Sequence, residues 1–274
     1  MEHTSANTIM EKISCLFKKL IKSNRGVEVV VDASPYKMDY DDPVLEYYET
    51  PIGNYYLPNN APRDIVINSM KFGKIFEPEV VELAQQYIEE GTVVLDVGAN
   101  FGQMSIMFSH FAGSKGSVYA FEADDFICGI LEKNIAANNC TNIKPVCKAV
   151  YNKTGEIMLY PVQDFTRFDS YGSYGLDPNA KEGREVQTIT IDSLNIQEPI
   201  SFMKVDVQGS DLFVLQGAVE TIQRHKMPIL FEYEEQFGEE FNAKWQDYSD
   251  FIESISYKIE KTIYNINYLI VPKA

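Results

Sequence analysis

The 274-residue chain is poor in the residues that build metal and redox sites. It has 3 histidines and 4 cysteines, and Cys15, Cys128, Cys140 and Cys147 include no CxxC pair. That spacing argues against a zinc ribbon or a disulfide scaffold and fits a reducing, cytoplasmic setting. No apolar run approaches the ~18–20 residues needed to cross a bilayer. The first 25 residues lack the apolar block and small-residue cleavage site of a secretory leader. Basic residues are scarce too: 24 Lys+Arg face 40 Asp+Glu, a net charge of −16. Such a balance opposes a polyphosphate backbone, so no nucleic-acid partner is expected. There is no internal repeat and no low-complexity tract. What is present is globular in proportion, 45% hydrophobic and 23% charged, in a chain long enough for a full core in one large domain.

The order of patterns along the chain divides it at about residue 60, into an N-terminal extension (1–60) and a larger domain (61–274). Within the extension, Ile9, Ile13, Leu16, Phe17 and Leu20 recur at helical spacing, which predicts an amphipathic helix over 8–22 with a basic polar face. Docking on its own domain or on a second copy in a homo-oligomer is the expected use; contact with an anionic membrane surface is the reading not favoured. Short strands are expected at 27–31, 46–48 and 55–57, the last two forming a hairpin closed around Gly53-Asn54. A helix over 78–89 ends near Gly91. From Thr92 onward strand and helix alternate: strands at 93–95, 117–121, 143–146, 201–205 and 229–231, and helices at 102–111, 126–138 and 211–225. That rhythm predicts an α/β fold with a doubly wound, mostly parallel sheet. Strands at 257–262 and 267–271 are joined by a short turn and should add an antiparallel C-terminal hairpin. Between paired strands at 155–160 and 185–190 lies an insertion, 161–184, of the length used for lids and binding loops.

The strongest motif is Asp96-Val97-Gly98-Ala99-Asn100-Phe101-Gly102, directly after the first core strand. Glycines there let backbone approach a ligand, and the following helix presents free N–H groups. The pattern is DxGxxxG, not the GxGxxG of dinucleotide sites. An acid at the first position repels a pyrophosphate and suits a cation such as an ammonium group. Glu122, followed by Ala123, ends the next strand, where an acid binds ribose hydroxyls. Lys148-Ala149-Val150, after the third strand, lies where an adenine edge would sit. A ligand with a ribose, a positive centre and no required pyrophosphate describes S-adenosyl-L-methionine.

These residues resemble the cofactor core of class I, Rossmann-like S-adenosylmethionine-dependent methyltransferases, with their seven-stranded sheet. More narrowly, the chain resembles the FkbM family from about residue 55 to its end. The matching stretches are residues 73–77, residues 94–100, Asn134 with Asn138, Thr190-Ile191-Asp192-Ser193-Leu194, Lys204-Val205-Asp206-Val207-Gln208-Gly209, residues 214–218 and Ile229-Leu230-Phe231-Glu232. Asp211 stands where the family usually has Glu, and Gln103, where an aromatic or hydroxyl side chain is common, is taken as neutral. The resemblance implies O-methylation of a hydroxyl on a sugar, a polysaccharide or a small natural product. It also implies that a strand-like segment at 73–77 closes over the cofactor, with Glu77 near its amino group. The expected cofactor-binding residues are therefore Glu77, Asp96, Gly98, Ala99, Asn100, Gly102, Glu122, Ala123, Ala149 and Asp206.

On the acceptor side, Asp206 and Glu232 end adjacent strands, where ligands of open α/β sheets bind. Asp206 is the leading candidate for the base that takes a hydroxyl proton, with Glu232 beside it. No histidine joins them, and no metal is assigned. His110 and His225 fall in last helical turns, where a cation complements the helix dipole. Within the insertion, Asp164, Asp169, Ser173 and Tyr174 are expected to line the acceptor. A non-catalytic protein that binds an adenosine ligand is the alternative from a different class.

Overall fold

A computed structural model describes residues 44–163 and 169–273. The expected helix over 8–22 and strand at 27–31 lie outside the described residues. The chain first forms an antiparallel hairpin, β1 (Leu45–Thr50) and β2 (Gly53–Pro58). Thr50 pairs with Gly53, so the turn is Pro51-Ile52 and Gly53-Asn54 already belongs to β2. The expected turn was two residues late because Pro51, with its preset φ, claims the first turn position. Tyr55 and Leu57 are fully buried in the main core. Asn134 Oδ1 accepts from Tyr56 N at 2.6 Å, and Asn138 exchanges two bonds with the Asn54 backbone.

Helices α1 (Ile65–Lys71) and α2 (Pro78–Tyr87) follow. The core then alternates: β3 (Val93–Val97), α3 (Gln103–Ala112), β4 (Ser117–Phe121), α4 (Asp125–Ala137) and β5 (Ile143–Val146). After the insertion come β9 (Ile200–Val205), α5 (Asp211–Gln216), α6 (Val219–His225), β10 (Ile229–Glu232), α7 (Glu235–Glu240), α8 (Trp245–Ser254), β11 (Tyr257–Ile263) and β12 (Asn267–Pro272). The seven-stranded sheet runs β11-β12-β10-β9-β3-β4-β5. Strands β10, β9, β3, β4 and β5 are parallel, and β12 and β11 add antiparallel at the β10 edge. This is the doubly wound α/β architecture with an antiparallel C-terminal hairpin. Every residue of β3 is buried, as expected for a strand covered on both faces.

The period of two in these strands positions the site. Val94, Val118, Ala120, Phe202 and Leu230 point to one face and its core cluster, under α1 to α4. Val93, Leu95, Val97, Met203, Val205 and Phe231 point to the other. Asp96, Lys204 and the strand-end acids Glu122, Asp206 and Glu232 follow the first set. They are gathered on one face at the carboxyl ends, beside the β3/β9 switch where chain order reverses.

Several expectations are corrected. The helix anticipated over 211–225 is two helices. Gly217 passes the Tyr151 carbonyl so closely that a Cβ would lie 2.1 Å from it, and its own carbonyl accepts from Asp192 N. Asp192 then caps α6, accepting from Glu220 N and Thr221 N at 3.0 and 2.8 Å. Residues 149–150 do not continue β5. They form a short strand, β6 (Ala149–Val150), in a separate sheet with β8 (Arg184–Ile189) and β7 (Ile157–Tyr160). Cys128 and Cys147 form a disulfide, with Cα atoms 5.7 Å apart. Spacing in sequence gave no hint of it, because α4 lies beside the end of β5 only in the fold. Among the described residues, no helix is long and apolar enough to cross a membrane.

Candidate cofactor and acceptor site

A cavity of about 300 Å³ opens at the carboxyl ends of β3, β4, β9 and β10. Its floor is the loop after β3. Gly98 (φ +86) lies against the start of the next crossover, and a Cβ there would sit 1.8 Å from the Asp206 carbonyl oxygen. Only glycine fits. Ala99 and Asn100 continue the floor, with Asn100 also at positive φ. Gly102 departs from expectation: it does not line the cavity. It caps α3 at φ +87, and a Cβ there would lie 2.5 Å from Leu131 Cδ1, so its smallness serves helix packing.

Glu122 faces this floor. Its Oε2 accepts from Asn100 N and its Oε1 from Asp124 N, both at 2.9 Å. Burial, reinforced by the Asp124 charge, pushes its carboxyl up to about 7. Ala123, Ile127, Lys148, Ala149 and Tyr160 extend the wall beyond it. This end offers a carboxylate held flat against two amides, then a largely apolar slot.

The other end is ionic. Asp96 is fully buried; Ser105 Oγ donates to its Oδ2, while Oδ1 has no hydrogen-bond partner among the described residues. Burial holds this carboxyl above its usual range, against the pull of Lys204. Lys204 is directly opposite Asp96 in the β3/β9 register and donates from Nζ to Asp206 Oδ2 at 2.9 Å. Burial works against the Lys204 charge, yet Asp206 and Asp96 outweigh it and hold the ammonium above its ordinary range. Burial likewise pushes Asp206 up, but Lys204 prevails and keeps it below the usual carboxylate range. Gln208 Nε2 bridges Asp206 Oδ1 (3.0 Å) and Glu232 Oε2 (3.1 Å). Glu232 is raised well above its normal range, by burial first and then by the Asp206 charge. Asp206 and Glu232 are thus shifted in opposite directions, the charged form favoured at Asp206 and the neutral form at Glu232.

Glu77 also lines the cavity, in the left-handed region (φ 49) just ahead of α2, and accepts from Asn267 Nδ2 at 3.3 Å. Burial and then the Asp206 charge raise it to about 7. Residues 73–77 are irregular and not strand-like. Gln103, taken as neutral, fastens them: its Oε1 accepts from Phe76 N and its Nε2 donates to Lys74 O. Asp211 is buried behind Asp206 and raised to about 7 by burial first; it does not reach the cavity.

The insertion roofs the site. Asp64 caps α1 through Ile67 N and also accepts from Tyr171 N (2.8 Å) and Ser170 Oγ (3.0 Å). Ser173 and Tyr174 line the cavity. Asp169 does not, pairing instead with Arg63 at the surface, 3.4 Å away. Asp164 lies outside the described residues. Sequence reasoning missed Lys204 and Gln208, which sit inside a motif it quoted, and α1, whose Ile65, Val66 and Met70 form an apolar wall. The signal for α1 was Asp64, an N-cap residue before an apolar turn.

The residues present fit S-adenosyl-L-methionine. The buried, unpartnered Asp96 Oδ1 suits its ammonium, Glu122 its ribose hydroxyls, and the Gly98-Ala99-Asn100 loop lines the cavity between them. Comparison with known proteins gives the same class. No curated protein matches the chain. Among solved structures, it is similar to an FkbM methyltransferase from Methylobacillus flagellatus KT, at 16% identity and TM-score 0.44, covering 78% of this chain and 55% of that one. It is also similar to a SAM-dependent O-methyltransferase from Thermotoga maritima (14%, TM-score 0.43, 79% and 72% covered). A third is an rRNA methylase from Streptococcus thermophilus (9%, TM-score 0.42, 70% and 92% covered). The methyltransferase FkbM domain matches residues 96–259, from the Asp96 motif to the first strand of the C-terminal hairpin, and the chain belongs to that family of S-adenosyl-L-methionine-dependent methyltransferases.

Proposed function

We propose that the protein O-methylates a hydroxyl of a sugar or polysaccharide. The observation that carries this reading is the Asp206–Glu232 pair, bridged by Gln208 at the end of the cavity away from the Glu122 slot. Bound S-adenosylmethionine supplies a methyl on a sulfonium, and the acceptor oxygen must be aligned behind it and lose its proton. Asp206, kept ionised by Lys204, accepts the hydroxyl proton as the new C–O bond forms and the C–S bond breaks, its electron pair going to sulfur. Glu232, whose neutral form burial and the Asp206 charge favour, holds the acceptor oxygen beside it. The carboxyl-rich mouth and the net charge of −16 favour a neutral acceptor over a polyphosphate.

A small natural-product acceptor is a second reading. It is favoured by the apolar side chains of Ile65, Val66, Met70 and Ile266 along the rim. A purely adenosine-binding role predicts no transfer to any acceptor. Mass spectrometry of cell glycans with and without the protein separates the first reading from the other two, since it requires one methyl missing without it, and the same comparison on small-molecule extracts separates those two. In the methylation assay that follows, Asp206→Asn lowers turnover by at least about 100-fold, while calorimetry finds S-adenosylhomocysteine affinity within about threefold of wild type. Unchanged turnover would remove Asp206 as the base.

The reading keeps the reaction in the cytoplasm. The Cys128–Cys147 disulfide weighs against that location, and a thiol count on protein taken from cells decides it. It also keeps the helix expected over 8–22 as a docking element, on the chain's own domain or on a second copy.

A further inference from the structure

Two unmet hydrogen-bonding capacities sit side by side at the ionic end of the cavity. Asp96 Oδ1 is buried and has no hydrogen-bond partner among the described residues. Lys204, opposite it across β3 and β9, is 3% exposed and also lines the cavity. Its ammonium has three N–H donors, and Asp206 Oδ2 is its one hydrogen-bond partner among the described residues. Buried donors and a buried acceptor gain most from a ligand that supplies the missing partners. A ligand that brings a carboxylate and an ammonium on one carbon satisfies both.

We propose that Lys204 is a binding residue for the cofactor, its ammonium holding the α-carboxylate of the methionyl end while Asp96 Oδ1 takes the α-ammonium. The inference rests on the S-adenosylmethionine reading of the cavity. It assigns the lysine a role of its own, beyond neutralising Asp206. It also carries a sign that simple charge does not. Around this end Glu77, Asp96, Asp206 and Glu232 face one lysine. By net charge alone, removing the ligand's carboxylate leaves a more cationic molecule and should tighten binding. A direct Lys204–carboxylate contact predicts the reverse.

The test is calorimetry on the full chain with three probes: S-adenosylhomocysteine, its decarboxylated analogue, and 5′-methylthioadenosine, which lacks the whole amino-acid arm. Wild type should prefer S-adenosylhomocysteine over the decarboxylated analogue by about tenfold or more, the range of one charge-assisted hydrogen bond. In Lys204→Met that preference should vanish or invert, with methylthioadenosine affinity within about threefold of wild type. Equal affinity of wild type for the first two probes overturns the proposal, and needs no variant to fold. Equal weakening of all three probes in Lys204→Met also overturns it, in favour of a structural role. Should wild type bind none of the probes, the cofactor reading itself fails, a different outcome from loss of the carboxylate preference alone.

Discussion

Glu122 has both carboxylate oxygens engaged by backbone amides, from Asn100 and Asp124, and still faces the cavity. The side chain therefore shapes the loop and holds lone pairs ready for ribose hydroxyls. Glu122→Ala removes both functions and leaves two amides unpaired, at about 1–3 kcal/mol each. Calorimetry should find S-adenosylhomocysteine binding weakened at least about tenfold; unchanged affinity would take Glu122 out of the site. Asp96, Glu122, Asp206 and Glu232 were legible in the sequence because an acid at a strand's carboxyl end has few other uses in a parallel sheet. Lys204 was not, because a lysine one residue before a strand end is ordinarily solvent-facing. Only the register with Asp96 shows that it is buried. Asp169 was misplaced for the opposite reason: an acid among tyrosines and serines fits a binding wall, and nothing local reveals that Arg63, 106 residues away, draws it to the surface.

Among the elements, the tightest contact is the turn between β3 and α3, where Gly98 crosses the Asp206 carbonyl. Gly98→Ala places a methyl in occupied space at a left-handed φ. It should push apart the two crossovers that carry the cofactor floor and the proposed base. We expect no detectable S-adenosylhomocysteine binding by calorimetry and a lowered melting temperature; normal binding would mean the turn can relax and is not the cradle described. The alternating core was readable because apolar blocks of four to six residues alternate with amphipathic helices. What failed was finer. The Gly217 break depends on a carbonyl of Tyr151, distant in sequence. Helix α7 is only six residues long and rich in Glu, so its apolar spacing is thin. The hairpin β1–β2 was recognised, but its anchorage by Asn134 and Asn138 is a tertiary fact that only the fold supplies.

At the scale of the whole molecule, the site stores electrostatic cost. Glu77, Glu122 and Asp211 are each raised to about 7, chiefly by burial. A carboxyl whose folded pKa lies above its unfolded value favours the fold while protonated. That contribution is fully present below the unfolded pKa, about 4, and is lost as pH rises through the folded value. Asp206, shifted downward, acts in the opposite sense but only in more acid solution. Ligand-free protein should therefore melt at a higher temperature near pH 5.5 than near pH 8, and thermal scans that rise or stay flat across that interval would contradict the burial of these groups. S-adenosylhomocysteine should narrow the difference, since its ammonium and hydroxyls give the ionised acids partners.

The central claim is that one cavity, lined by Asp96, Gly98 and Glu122, is built for an adenosyl amino acid. A crystal structure of the full chain with S-adenosylhomocysteine tests it most directly. The account predicts the ribose hydroxyls on Glu122, the α-ammonium on Asp96 Oδ1, and the sulfur directed at Asp206 and Glu232. A nucleoside bound elsewhere, or a ligand whose amino-acid arm avoids Asp96, would contradict it.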